Sequence, residues 1–192
     1  SMLRTSLLTF ATAVATLAAD VPAIEYRVLA TSKTSTMEKE MNEAAAQGFR
    51  FATAMGGETA FGGKEAVVTM TKPALAAAES ATWRYLLLAT NRTSTMQKEI
   101  ADAALQGFVY KGQTVFNSAF GGQEVAVILE RDAAHSTARD EYLLLATSKT
   151  STMQKELSDA GRDGYELVGM TVGKTAMRGS EVVCILRRPA AR

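Results

Sequence analysis

Ala30-Thr31-Ser32-Lys33-Thr34-Ser35-Thr36-Met37-Glu38-Lys39-Glu40-Met41 returns twice more along the chain, from Ala89 to Ile100 and from Ala146 to Leu157. Eight of its 12 positions are identical in all three copies. The repetition extends on both sides. Gly48-Phe49, Gly107-Phe108 and Gly164-Tyr165 align without a gap, as do Gly63, Gly122 and Gly179, then Glu65, Glu124 and Glu181. Copies one and two are offset by 59 residues and copies two and three by 57, with the difference falling in the linkers Pro73 to Arg84 and Asp132 to Glu141. A fixed internal period marks a repeat architecture in which each copy is one supersecondary unit.

Each unit reads as β-α-β-β. Tyr26-Arg27-Val28-Leu29-Ala30 is a strand, and its counterparts Tyr85-Leu86-Leu87-Leu88-Ala89 and Tyr142-Leu143-Leu144-Leu145-Ala146 are apolar on both faces, the pattern of a central strand. A polar loop precedes a helix. Ser35 with Glu38 has the S-x-x-E spacing of a capping box, repeated as S-x-x-Q by Ser94 with Gln97 and Ser151 with Gln154. The helical spacing predicts a buried stripe of Met37, Met41, Ala44 and Ala45, then Met96, Ile100, Ala103 and Ala104, then Met153, Leu157, Ala160 and Gly161. Gly48, Gly107 and Gly164 are placed to end the helices in a left-handed conformation. A hairpin of two strands follows, with its turn at Gly62-Gly63 in the first copy.

The expected fold is therefore α+β: three tandem units, 26–73, 85–132 and 142–189, after an N-terminal segment, 1–25. Their helices lie outside small mixed sheets in a pseudo-threefold arrangement. A unit of under 50 residues is too small to be comfortably stable alone. The units are expected to bury their open faces against one another or against a second chain. If the first two strands of a unit share a sheet and run parallel, their crossover should be right-handed.

The run Gly164-Tyr165-Glu166-Leu167-Val168-Gly169-Met170, with the closing strand ending Leu186-Arg187-Arg188-Pro189, resembles a family of small bacterial β-α-β-β domains of unknown function. That family has a G-W-E-L-V stretch and a closing Lys/Arg-Arg-Pro. Here Tyr165 replaces the Trp, and the first two copies depart further, with Phe49-Arg50-Phe51 and Phe108-Val109-Tyr110. The resemblance implies a fold and a bacterial origin, and carries no activity or functional residues.

Composition narrows the function classes. A hydrophobic content of 47% argues for a packed globular chain, and a net charge of +1 with interspersed charges points to neither nucleic acid nor an anionic membrane surface. Cys184 is the lone cysteine and His135 the lone histidine, so no intrachain disulfide, His cluster or repeated Cys/His pair can form. Cys184 lies in the apolar run Val182 to Leu186 and reads as a buried inert thiol. His135 lies in the polar linker Ala133-Ala134-His135-Ser136-Thr137. No metal, cofactor or catalytic residue is expected.

The N-terminal segment has two readings. Arg4, the apolar stretch Leu7 to Ala19 and the small residues before Asp20 describe a secretory signal, implying a periplasmic or secreted protein. The stretch is shorter than the roughly 20 apolar residues of a membrane span. Alternatively Leu3, Leu7, Phe10, Val14 and Leu17 form one helical stripe of a structural helix, which leaves a cytoplasmic location open.

The repeated loop is the candidate site. Only two of the 15 positions from Phe49 to Gly63 are identical in all copies, so the loop tolerated less change than the segment beside it. A helix start offers unpaired N–H groups and a partial positive charge. Lys33, Thr34, Ser35 and Thr36, with Arg92, Thr93, Ser94 and Thr95, and Lys149, Thr150, Ser151 and Thr152, would bind an anion or polar ligand in three equivalent places. The structural alternative is plain helix capping by Ser35, Ser94 and Ser151. The hairpin-tip residues Phe61, Phe120 and Met177 are a second candidate contact surface, either exposed or turned inward.

These features make a non-catalytic ligand-binding or protein-interaction repeat protein the leading expectation, with a small anion or a protein as partner and homo-oligomerisation open. One alternative is an enzyme using Glu40, Glu99 and Glu156 in a pocket on the pseudo-axis. Another is a structural self-assembling protein.

Overall fold

The computed structural model describes residues 23–59, 63–74, 83–117, 123–134, 139–175 and 179–190. The N-terminal segment up to residue 22, His135 and the hairpin-tip residues Phe61, Phe120 and Met177 lie outside these.

The order β-α-β-β occurs three times. Unit 1 comprises β1 (Ile24–Thr31), α1 (Thr34–Ala45), β2 (Arg50–Thr59) and β3 (Gly63–Pro73). Unit 2 comprises β4 (Trp83–Thr90), α2 (Thr93–Leu105), β5 (Val109–Asn117) and β6 (Gln123–Asp132). Unit 3 comprises β7 (Asp140–Thr147), α3 (Thr150–Arg162), β8 (Glu166–Thr175) and β9 (Gly179–Pro189). The helices end as the glycines predict. Gly48, Gly107 and Gly164 have φ of 88°, 85° and 83°. In the first, the Gly48 N–H donates to Ala45 O at 2.9 Å and the Phe49 N–H to Ala44 O at 3.2 Å. That pair of bonds satisfies carbonyls the helix leaves open.

The sheets correct the expectation of mixed pairing. Their orders are β1-β3-β2, β4-β6-β5 and β7-β9-β8, and every neighbouring pair is antiparallel. The first and second strands of a unit do run parallel to each other, but the third lies between them. The Leu-rich β4 and β7 are therefore edge strands, not central ones. Their two-sided apolar pattern has another cause, which is the helix of the preceding unit.

α1 packs on its own sheet and, more extensively, on β4; α2 packs in the same way on β7. The cores accordingly straddle the units. Met37, Met41, Ala66, Val68 and Met70 of unit 1 share a core with Tyr85, Leu87, Phe116, Ala126 and Ile128 of unit 2. Met96, Ile100, Val127 and Leu129 of unit 2 share one with Tyr142, Val183 and Ile185. Along β6, Ala126 and Ile128 face unit 1 while Val127 and Leu129 face α2, so both faces of this strand are buried. Each sheet also packs directly on the next, β2 and β3 on β5 and then β5 and β6 on β8, so a helix and the following sheet share one face of the sheet before them. α1 and α2 each bury one stripe at a junction and keep an outer face, with Lys39, Glu43, Lys98 and Asp102 exposed, whereas α3 has no following unit packed on it. Among the described residues the 1–2 and 2–3 junctions have no counterpart between units 3 and 1. The expected threefold closure is replaced by an open stack.

Candidate functional site

Each repeated loop leaves an edge strand and enters a helix. Thr31 Oγ1 accepts the Lys33 N–H at 3.2 Å, Thr90 Oγ1 the Arg92 N–H at 3.1 Å and Thr147 Oγ1 the Lys149 N–H at 3.2 Å. This side-chain turn recurs in all three copies and accounts for the invariant Thr. The residue preceding each helix is Lys33, Arg92 or Lys149, in extended conformation, and none of the three helices has a side-chain cap. Ser35, Ser94 and Ser151 are the second residues of their helices, exposed to solvent. The capping-box expectation is therefore corrected: the helix begins two residues earlier than that spacing requires.

The partner residue of the supposed box has another use. Glu38 Oε2 accepts the Leu87 N–H at 2.9 Å, across the junction. Its counterpart Gln97 accepts the Leu144 N–H through Oε1 at 2.7 Å and donates from Nε2 to Tyr142 O at 2.8 Å. Asn42 adds a two-way grip on Tyr85: Nδ2 donates to its carbonyl at 3.0 Å and Oδ1 accepts its N–H at 3.0 Å. Helix side chains thus satisfy the free backbone edge of the next unit's first strand, groups that burial would otherwise leave costly.

The same strand returns a bond. The Tyr85 hydroxyl accepts the Phe51 N–H at 2.8 Å and donates to Glu130 Oε2 at 2.6 Å; the Tyr142 hydroxyl accepts the Tyr110 N–H at 2.9 Å. Phe51 and Tyr110 sit where the register of β2 against β3, and of β5 against β6, slips. Such irregularities free a backbone group from the ladder. Burial raises the pKa of Tyr85, Tyr110 and Tyr142; the hydrogen bond to Glu130 adds to it at Tyr85. Arg50 closes the cluster with an ion pair to Glu130 at 2.7 Å. These junction residues are missing from the sequence-based site. The recurrence of tyrosine at 26, 85 and 142 was the available signal.

Each of the three loop sets stays on its own unit. In unit 2 the groove beside the loop, lined by Thr90, Arg92, Thr93 and Met96, is nearly filled by Leu144, Lys174 and Val183 of unit 3, with about 10 Å³ left. In unit 3 the equivalent groove, lined by Thr147, Lys149, Thr150, Met153, Val172 and Val182, has a volume of about 390 Å³. Its floor is apolar, and Lys149 with the hydroxyls forms its rim.

The carboxylates of the enzyme reading sit on three separate helices, and Glu156 lies close enough to Cys184 to raise its pKa, after burial as the larger cause. Cys184 is a buried free thiol. Lys39 and Lys155 pair along their helices with Glu43 at 3.7 Å and Asp159 at 2.8 Å. Among the described residues no group of three His, Cys, Asp or Glu side chains could hold a metal ion. In the same residues no helix is long and apolar enough to cross a membrane.

Fold and site together define a stacked α+β protein built from three β-α-β-β units. No protein-family model matches the chain, and neither does any curated protein or solved structure.

Proposed function

We propose that the chain is a non-catalytic interaction protein whose recognition element is the repeated loop-and-helix face. The observation that carries this reading is the contrast between the two grooves. The face that unit 3 fills on unit 2 stands open on unit 3, with about 390 Å³ beside Lys149, Met153 and Val172. A surface that docks a protein layer twice within the chain is suited to docking another. An apolar fluorescent dye such as ANS tests it in dilute solution. The parent should enhance dye fluorescence, and Val172→Asp should remove most of the gain. Dye fluorescence at the buffer level, or a gain that Val172→Asp leaves unchanged, ends the reading.

The anion reading is favoured by one observation: no side chain caps the first turn of any of the three helices, and each is preceded by Lys33, Arg92 or Lys149. Phosphate or sulfate would meet backbone N–H groups and a cation there, an attraction that salt weakens. Calorimetry should show binding that the triple substitution K33M/R92M/K149M abolishes. If the parent takes up neither anion, the helix starts are not sites.

A further inference from the structure

We propose that the protein assembles head to tail with a second copy of itself, the β1 side of one copy docking on the α3–β8 side of the next. This rests on the interaction reading above and names the partner for that same face.

The two internal junctions use equivalent atoms, so the composition of a third can be written down. On the helix side Glu38 and Gln97 are followed by Gln154, and the slipped-register residues Phe51 and Tyr110 by Leu167. On the strand side Tyr85 and Tyr142 correspond to Tyr26, while Leu87 and Leu144 correspond to Val28. All four end residues keep the required chemistry. Gln154 offers both a donor and an acceptor, and its Nε2 bonds only to Ser158 Oγ, at 3.1 Å on its own helix. Tyr26 is 66% exposed, whereas Tyr85 and Tyr142 are 3% and 6% exposed.

Apolar surface is concentrated on these two ends. Of the eight exposed large hydrophobic residues among the described ones, Ile24, Tyr26, Val28 and Met55 lie on unit 1, and Leu167, Met170 and Val172 on unit 3. Only Leu105 lies elsewhere. Patches of this kind on a soluble chain mark interaction sites.

Side-chain volumes match as well. At the first junction Ala66 shares its core with Phe116, a small residue with a large one. At the second, Val125 lies where a Cβ on Gly173 would come within 2.4 Å of its Cγ2. The third pair would be Val182 with Gly57, and a Cβ on Gly57 meets nothing within 4 Å. Likewise Gly112 packs on Phe51 and Gly169 on Tyr110. Thr53 would meet the smaller Leu167, so the residue that gains bulk faces one that has lost it.

A second copy satisfies both ends at once. The chain's own first 22 residues would cover β1 and leave the α3–β8 groove open. A contact of this head-to-tail type uses two different surfaces, so it propagates until rotation closes a ring.

Light scattering on the full chain across a concentration series tests the proposal. The parent mass should rise above that of one chain. Tyr26→Asp and Val172→Asp alter exposed positions at opposite ends, and each variant alone should remain monomeric and melt as the parent does at concentrations too low for assembly. Mixed, the two should form a one-to-one dimer and nothing larger, because each retains one intact end. Met170→Asp should behave as Val172→Asp does. A parent that stays monomeric at all concentrations overturns the proposal, as does a mixture that forms no dimer or a variant that dimerises alone. Assembly seen only in a chain shortened to begin at Ala23 overturns it for the full chain. A monomeric parent that still binds dye in a Val172-dependent way would leave the interaction surface standing and remove only the second copy as its occupant.

Discussion

α2 and α3 are 13 residues each and begin with the same Thr-Ser-Thr-Met-Gln-Lys-Glu run, yet their burial differs. In α2 the residues Met96, Ile100, Ala103 and Ala104 are all buried, whereas in α3 only Ala160 is. The predicted stripe is the same, so local sequence does not explain the difference. What α2 has and α3 lacks is a following unit, with β7 lying along it. Most of the stability of such helices comes from packing an apolar face, not from intrinsic propensity. In this protein much of that packing belongs to the neighbour, as in nearest-neighbour repeat architectures.

The comparison can be tested by paired substitutions at equivalent positions. The largest effect is expected in the core. Ile100→Ala should cost about 2–5 kcal/mol in denaturant melts, the range for large-to-small core changes. Leu157→Ala, at the partly buried equivalent, should cost about half as much. Equal losses would show that α3 is as enclosed as α2.

The polar junction should give a smaller effect. Asn42→Ala leaves the N–H and C=O of Tyr85 without partners and should cost about 1–3 kcal/mol. Ser158 occupies the equivalent place on α3, and its hydroxyl bonds within its own helix, donating to Gln154 O and accepting from Gln154 Nε2. Ser158→Ala should therefore stay within about 0.5 kcal/mol. A cost at Ser158 matching that at Asn42 would break the comparison.

The subtlest test is alkaline titration. Tyr85, Tyr110 and Tyr142 are held neutral in the fold by burial, their pKa values raised, while in the unfolded chain a tyrosine ionises near pH 10. Above that pH the unfolded state binds fewer protons than the native one, so stability falls as pH rises; below it this contribution is fully present. Melting temperatures should decline steeply above about pH 10. Tyr142→Phe should make the decline shallower; an unchanged slope would show that burial of this hydroxyl is not what the alkaline limb reports.

Element order, the buried stripes of α1 and α2 and the glycine helix ends were legible because each depends on local periodicity or on one backbone conformation. The order of strands within a sheet was not, since β4 carries the two-sided apolar sequence of a central strand while sitting at an edge. Asn42, Glu38 and the stacked neighbour enclose it, and no one-dimensional pattern separates a strand flanked by strands from one flanked by a helix. The loop was recognised as special, but its chemistry was misassigned in part. Ser35 and Glu38 have capping-box spacing, and the structure uses Glu38 for the Leu87 N–H and leaves Ser35 in solvent. Two uses of one spacing are indistinguishable until the partner strand is in view. The open ends were invisible for the same reason: Tyr26 and Tyr85 are identical in sequence and differ only in what lies over them.

The grip of Glu38, Asn42 and Gln97 on strand edges also bears on how the chain avoids precipitating. Tyr85-Leu86-Leu87-Leu88 and Tyr142-Leu143-Leu144-Leu145 are uncharged, β-prone and free of proline, the composition that templates cross-β stacking when an edge is bare. A carboxylate or carboxamide seated on the Leu87 or Leu144 N–H occupies a position that an incoming strand would need. The polar side chains that join the units therefore also act as gatekeepers, occupying backbone donors on two apolar edge strands that an incoming strand would otherwise pair with.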